Sequence, residues 1–157
     1  MTTIYTVGHS NLPVAKLLSL LEQHSIVKVI DVRSAPYSAW APQFNKHAIE
    51  NELCSAGFEY VYAGDKIGGK PADESLYTHA GVPDYEQLGQ SPAFLEGLDW
   101  LIQIASEKRV AIMCSEGDPF SCHRERLVGK KLRERGLEVL HITSDGEIVV
   151  QEQGELF

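Results

Sequence analysis

The chain has 157 residues, is 43% hydrophobic, and carries 14 Lys and Arg against 22 Asp and Glu, for a formal net charge of −8. The composition excludes a disordered protein. The acidic balance disfavours general nucleic-acid binding, which needs a basic surface, but it does not exclude a local cationic pocket. A chain of this length buries enough apolar surface to fold without metals or disulfides, so we expect residues 1–157 to form one domain.

Short β-rich runs alternate with helical stretches along the chain. The pattern predicts strands at residues 4–7, 26–32, 58–62, 109–113 and 137–142, with a short edge strand at 147–151, and helices at 13–24, 46–56, 91–108 and 121–135. Near-continuous Val and Ile runs are typical of parallel strands buried on both faces. This alternation predicts a three-layer, Rossmann-like α/β domain with a mostly parallel sheet of about five strands.

Local signals mark the ends of these elements and one long connection. We expect Asn11 to cap the first helix, Gly136 to end the last one, and Cys54 to pack within the second. Residues 63–90 show no clear periodicity and contain five glycines and two prolines. A loop of this length in a compact domain is commonly a binding segment, so residues 63–90 are a candidate lid.

The cysteines and the N-terminus predict the cellular setting. Three cysteines, Cys54, Cys114 and Cys122, cannot all pair within one chain, and their spacing is unlike a small secreted disulfide scaffold. The N-terminus lacks the basic region and apolar run of a signal peptide, and no apolar stretch approaches the roughly 18 residues that span a bilayer. We therefore expect a cytoplasmic protein with reduced thiols and no membrane partner.

Polar side chains follow the first, second and fourth predicted strands, in the segments 8–11, 31–36 and 114–124. In open α/β sheets, ligands bind beyond the carboxyl ends of the strands. If these three strands are neighbours, their polar groups converge on one cleft, which we take as the predicted site.

The segment from Cys114 to Arg124 is similar to the anion-cradling design of rhodaneses and cysteine phosphatases, in which a strand ends in Cys and a loop leads to a helix that carries Arg. The interval differs, since Arg124 lies ten residues after Cys114, longer than in phosphatases. Glu116 and Asp118 in the loop would also repel a phosphate. We therefore assign neither phosphatase nor sulfurtransferase chemistry.

Three residues of this segment are the predicted catalytic groups. Cys114 is the candidate nucleophile, and His123 or Glu116 would transfer protons. An alternative makes Cys114 a small buried residue that closes its strand. In another, Cys114, Cys122 and His123 are metal ligands, although no fourth ligand has zinc-site spacing.

The predicted substrate-binding residues are His9, Ser10, Asp31, Arg33, Cys122 and Arg124. Arg33 and Arg124 would hold a negative charge, and Asp31 would orient Arg33. Because Asp31 and Arg33 are two positions apart on a strand, they share a face. An ion pair that only fixes the loop is therefore the alternative.

Five segments resemble, in order, motifs of the bacterial and archaeal family called domain of unknown function 488. They are TVGHSN, DVRSAPYSAWAPQFNK, IGGK, MCSEGDPFSCHR and VLHI, spread over roughly residues 4–142. The resemblance implies a compact α/β domain and no particular reaction. The polar site that it implies is shared by His9, Ser10, Asp31, Arg33, Glu116, Cys122, His123 and Arg124.

One segment departs from the family pattern. Members often carry basic residues just after the position of Ser38, whereas this chain has Ala39, Trp40 and Ala41. The departure weakens a nucleic-acid interpretation. Trp40, with Tyr37 and Phe44 nearby in sequence, instead predicts an aromatic wall that either stacks a base or covers the core.

The predicted function is a small-molecule enzyme, a hydrolase or group transferase, acting on an anionic and possibly nucleotide-like ligand at the ends of strands one, two and four. A non-catalytic ligand-sensing module that uses the same pocket is the alternative, and a metal-binding protein is the third hypothesis. The sequence names no cofactor and no oligomeric state.

Overall fold

The computed structural model describes residues 2–151, and six strands form one sheet in it. The strands are β1 (Thr3–Gly8), β2 (Lys28–Asp31), β3 (Glu59–Tyr62), β4 (Val110–Cys114), β5 (Glu138–Ile142) and β6 (Ile148–Val149). Their spatial order is β3-β2-β4-β1-β5-β6, and only the β5–β6 pair is antiparallel. The predicted α/β class and mostly parallel sheet are confirmed.

The helices connect these strands. They are α1 (Val14–Gln23), α2 (Lys46–Ser55), α3 (Gly64–Ile67), α4 (Tyr85–Leu88), α5 (Pro92–Glu107) and α6 (Lys130–Glu134), with 3-10 turns at Pro42–Phe44, Glu74–Leu76 and Pro119–Ser121, and a π-helical turn at Arg124–Gly129 that runs into α6. None of the helices within residues 2–151 has both the length and the apolar character needed to cross a bilayer.

Helices cover both faces of the sheet and produce three layers. Along β4, Val110, Ile112 and Cys114 contribute to the apolar cluster under α5 and α6, whereas Ala111 and Met113 contribute to the cluster under α1 and α2. Side chains alternate between the two faces of a strand. Burial on both faces explains why β4 is apolar throughout.

The position of β4 brings the predicted site together. β4 lies between β1 and β2, so Gly8 is opposite Cys114 and Asp31 is opposite Met113. The backbone pairing continues past β1, since the His9 N–H donates to the Cys114 carbonyl at 2.9 Å. In the usual Rossmann order strands one and two are neighbours. Here β4 separates them, so the Rossmann likeness is limited to the alternation of strands and helices.

The last predicted helix, at residues 121–135, begins later than expected. The 3-10 turn at Pro119–Ser121 is stabilised by the Asp118 carboxylate, which accepts the Phe120 N–H at 3.0 Å, and Cys122 is extended. The helix then starts at Arg124 with a π-helical turn, a distortion that often occurs at functional sites. The helix ends at Glu134, and Gly136 follows it in the left-handed conformation (φ +84°) expected of a glycine that terminates a helix.

Three local expectations are corrected. Asn11 does not cap α1; its Oδ1 accepts a hydrogen bond from Gln43 Nε2 at 2.9 Å, and Pro13 precedes the helix in extended conformation. Cys54 is exposed on α2 and is not packed, because it lies on the solvent side of that helix. Residues 63–90 are not wholly irregular, since they contain α3 and α4.

Candidate functional site

Two adjoining depressions lie at the carboxyl edge of the sheet. The first, the thiol cavity, has a volume of about 190 Å³, and its lining includes Arg33, Lys70, Cys114, Glu116, Cys122 and His123. The second, the aromatic groove, is lined in part by His9, Ser10, Tyr37 and Trp40. Arg33 and Glu116 line both depressions, which are therefore continuous.

The nine residues predicted for the site all lie at this edge, but in two layers. Seven of them line the thiol cavity or the aromatic groove. The other two, Asp31 and Arg124, are fully buried beneath them. Asp31 and Arg124 therefore contact the side chains and backbone around the cavity rather than its open space.

Asp31 and Arg33 form the buried ion pair that was one of two interpretations of their spacing. Arg33 Nε donates to Asp31 Oδ1 at 2.8 Å, and Arg33 Nη2 donates to Oδ2 at 2.7 Å. The Tyr60 hydroxyl donates to Oδ2 at 2.6 Å, and Arg33 Nη1 donates to the Phe44 carbonyl at 2.7 Å. One of the five guanidinium N–H groups is left for a ligand, so Arg33 is chiefly a support of the cavity wall.

His9 is held in one tautomer by its two neighbours. Its Nδ1 lies 2.7 Å from the Ser10 carbonyl, which only accepts, so Nδ1 carries the proton. Its Nε2 then accepts from Arg33 Nη1 at 3.2 Å. Burial lowers the pKa of His9, which agrees with a neutral ring, and the ring stacks on Phe44 at 4.5 Å. His9 is thereby fixed as a wall of the aromatic groove.

Cys114 and Cys122 form a close pair at the thiol cavity. Their sulfur atoms are 3.0 Å apart, and the two residues are only 1% and 5% exposed. The hydrogen bond from the Cys114 thiol lowers the pKa of Cys122, with the charge of Arg124 acting in the same direction. The same hydrogen bond and burial raise the pKa of Cys114. These opposite shifts favour ionisation at Cys122, with the Cys114 thiol donating to it.

Arg124 supplies a buried positive charge beneath these thiols. It is 0% exposed, and its Nη2 donates to the Gly117 carbonyl at 2.8 Å. Its Nε and Nη1 have no hydrogen-bond partner, and within residues 2–151 no carboxylate forms an ion pair with it. A buried guanidinium without a carboxylate favours a nearby thiolate.

Gly8 makes this position of Arg124 possible. A Cβ atom on Gly8 would lie 1.7 Å from the Glu116 carbonyl oxygen and 2.8 Å from Arg124 Nη1. Only glycine therefore lets the end of β1 approach the loop after β4 and the guanidinium so closely.

His123 is a neutral, buried imidazole at the thiol cavity. Burial lowers its pKa to about 4, and its Nε2 has no hydrogen-bond partner among residues 2–151. The ring packs on the backbone of Gly69, where a Cβ would lie 2.7 Å from the ring Cγ. Because it is neutral near pH 7, His123 is available to accept a proton, and its lowered pKa makes it a weak base.

The family model described as domain of unknown function DUF488 matches residues 13–130. The chain belongs to the DUF488 family. No curated protein and no solved structure matches the chain. The matched range includes the segments that contain Arg33, Lys70 and both cavity cysteines. The motifs TVGHSN and VLHI, which also resemble the family, lie outside this range.

One set of side chains in this DUF488 chain could hold a metal ion. The sulfurs of Cys114 and Cys122 and a carboxylate oxygen of Glu116 all lie within 4.8 Å of one another; His123, the third ligand of the sequence hypothesis, is not in the set. Two tetrahedral Zn–S bonds of about 2.3 Å place sulfurs roughly 3.8 Å apart. The observed 3.0 Å is shorter, so the thiols would have to separate to bind zinc.

Two further features of this DUF488 chain were not predicted from the sequence, and only the first of them, Lys70, lines the thiol cavity. The IGGK segment that contains Lys70 was named only as one of the motifs that resemble the family. Glu125 is buried and bound by Arg133 at 2.5 Å and by His141 Nε2 at 2.8 Å, while Thr6 Oγ1 lies 2.6 Å from His141 Nδ1. Burial would raise the pKa of Glu125, but these partners lower it overall. A Glu in a helical pattern resembles a surface residue, so no sequence signal marked it.

Proposed function

We propose that the chain is a thiol-dependent hydrolase or group transferase that acts on a small anionic substrate in the thiol cavity. The observation that carries this proposal is the pair of sulfurs 3.0 Å apart near the buried Arg124, which forms no ion pair with a carboxylate of residues 2–151. Such surroundings lower a thiol pKa and activate it as a nucleophile. The sequence favoured Cys114 as the nucleophile, whereas the hydrogen bonding favours Cys122.

The proposed reaction has two steps. The Cys122 thiolate forms a bond to the electrophilic atom of the substrate, and the bond to the leaving group breaks. Water, in a hydrolase, or a second substrate, in a transferase, then displaces the sulfur. The neutral His123, which lines the cavity, accepts the proton of that incoming group, and Cys114 donates a hydrogen bond that holds the thiolate in place.

Two positively charged side chains on the cavity wall are evidence for an anionic substrate. Lys70 and Arg33 both line the thiol cavity, and the Lys70 side chain is exposed. Lys70 takes the clamping role that the sequence assigned to Arg124, which is buried below the cavity. Glu116 at the rim is exposed and would repel part of a highly charged ligand, so we favour a substrate with a single anionic group.

The aromatic groove supports a nucleotide-like substrate. Tyr37 and Trp40 are 60% and 63% exposed, although they line a concave surface that continues into the thiol cavity. Exposed aromatic rings in a groove are suited to stacking on a planar base. The base would lie against these rings, and the anionic group would reach Lys70.

The test uses three serine variants and a defined set of ligands. Thermal unfolding of the protein is measured with AMP, glucose 6-phosphate and inorganic phosphate, and each ligand that stabilises it is incubated and analysed for products. Cys122→Ser is expected to lower turnover at least about 100-fold, and Cys114→Ser about tenfold, while Cys54→Ser leaves it unchanged. Full turnover in Cys122→Ser contradicts the proposal. Stabilisation without any product in the unaltered protein favours the ligand-sensing alternative.

A further inference from the structure

We propose that Cys114 and Cys122 are a redox pair, which a small peroxide converts into a disulfide. The sulfurs are 3.0 Å apart, and an S–S bond of about 2.05 Å requires an approach of only about 1 Å. The disulfide would switch off the proposed reaction, and the inference rests on that reaction only for this consequence. Bond formation needs no substrate, so it is measured separately.

The backbone that carries the two thiols is held in place by its own hydrogen bonds. In the connecting loop, the Phe120 N–H donates to Asp118 Oδ1 at 3.0 Å and the Ser121 N–H donates to the Asp118 carbonyl at 3.2 Å. Arg124 Nη2 binds the Gly117 carbonyl at 2.8 Å. Because the loop is braced, the close contact of the sulfurs belongs to the folded protein rather than to a chance encounter of two mobile segments.

Access to the pair selects the oxidant. Both thiols line the thiol cavity of about 190 Å³, but Cys114 and Cys122 expose only 1% and 5% of their surface. A molecule of the size of hydrogen peroxide reaches sulfur through this cavity, whereas a disulfide on another folded protein cannot. Cys54 is exposed on α2 and provides an internal reference for thiols outside the pair.

The chemistry balances with peroxide as the oxidant. The Cys122 thiolate attacks one peroxide oxygen, the O–O bond breaks, hydroxide leaves and a sulfenic acid forms. The Cys114 sulfur then attacks the sulfenic sulfur, its proton goes to the departing hydroxyl group, and water leaves as the S–S bond forms. Two electrons pass from the two sulfurs to the peroxide, and the first hydroxide takes a proton from solvent.

Arg124 makes the disulfide easy to reduce again. In the reduced protein the charge of Arg124 lowers the pKa of Cys122 and so favours its thiolate, whereas a disulfide carries no charge for the guanidinium to stabilise. Interactions that stabilise the reduced form make a disulfide more oxidising. We therefore expect reversible oxidation, as in a switch, rather than a permanent structural bridge.

The experiment counts thiols in the full chain. Protein reduced with dithiothreitol, treated with EDTA and desalted receives about one equivalent of hydrogen peroxide, and free thiols are alkylated after unfolding. The intact mass is expected to fall by about 2 Da, and alkylated thiols to fall from three to one, with dithiothreitol restoring three. In Cys54→Ser the count falls from two to none.

Other results overturn the proposal. Three free thiols after peroxide show that the pair does not react. A gain of about 16 Da without a cross-link shows oxidation at one sulfur only. A cross-linked peptide that contains Cys54, or a loss of about 2 Da in Cys114→Ser, shows a different pairing. Each readout is a mass, so it stands whether or not any turnover is found.

Discussion

The guanidinium of Arg33 is bound in a two-point fork by the carboxylate of Asp31, with N–O distances of 2.8 and 2.7 Å, and the pair is shielded from solvent. Breaking a buried pair by removing one charge leaves the other charge uncompensated. We therefore expect the Asp31–Arg33 ion pair to stabilise the wall of the thiol cavity.

Asp31→Asn is therefore expected to lower the free energy of unfolding by about 3–5 kcal/mol, because it leaves the buried Arg33 charge without its counter-charge. Urea unfolding followed by fluorescence measures this change. The matched control is Tyr60→Phe, which removes only the hydroxyl that donates to Asp31 Oδ2 and should cost about 1 kcal/mol. Equal losses in the two variants would contradict the buried-charge explanation.

The charge of Arg124 is expected to set the reactivity of Cys122. In a Cys54→Ser background, iodoacetamide near neutral pH should modify Cys122 before Cys114, because the pKa of Cys122 is lowered and that of Cys114 is raised. Arg124→Gln should slow this alkylation about tenfold, which corresponds to roughly one pKa unit.

Arg124→Lys is the matched control for that measurement, since it keeps the positive charge and should retain most of the rate. Peptide mapping by mass spectrometry identifies the modified sulfur. Modification of Cys114 first, or an unchanged rate in Arg124→Gln, would show that the guanidinium does not stabilise the Cys122 thiolate.

His123 is expected to make the protein less stable in mild acid. Its pKa is about 4 in the folded chain and about 6.5 when unfolded, so the unfolded state binds the extra proton as the pH falls between these values. The contribution of neutral His123 to the free energy of unfolding is therefore fully present above about pH 7 and decreases as the pH falls towards about 4. Between about pH 7 and pH 5 this group should remove about 2 kcal/mol.

The His123→Gln variant isolates this contribution. Its free energy of unfolding should fall less than that of the unaltered protein between about pH 7 and pH 5, a range above the carboxylate titrations. Parallel pH profiles for the two proteins would mean that His123 is not buried as a neutral ring.

Trp40 is expected to contribute to nucleotide binding through stacking. AMP should raise the melting temperature more than ribose 5-phosphate, and Trp40→Ala should abolish the difference, because a base–aromatic contact contributes about 1–3 kcal/mol. Val27→Ala, at an exposed position before β2, is the control substitution. Equal effects of the two ligands on the unaltered protein would argue against a base in the aromatic groove.

Much of the fold could be predicted because its signals are local. The Val/Ile runs and the helical periodicity of 14–23 and 92–107 reflect burial, and the observed bounds differ from the predicted ones by a few residues. The helix at 121–135 was the exception. The Asp118 side chain stabilises a separate 3-10 turn there, and a short-range apolar pattern does not reveal such a turn.

The candidate site was predicted as a set of residues, but not as a set of roles. Cys114 and Cys122 are eight positions apart, and their spacing does not say which thiol donates to the other. Arg33 was predicted either to bind a ligand while Asp31 orients it or only to pair with Asp31, and in the structure four of its five N–H groups bind neighbours. Side-chain partners that come from other strands decide such roles.

The amino-acid sequence by itself determined the α/β alternation, the family, and the location of polar groups after three strands, because hydrophobic periodicity and motif spacing are properties of short segments. Its charge of −8 allowed a cationic pocket without locating one. Only the tertiary structure decided that β4 separates β1 from β2, that Arg124 is buried, and that Lys70 lines the cavity. Burial and electrostatic pairing arise between residues distant in the chain, so they exist only once it has folded.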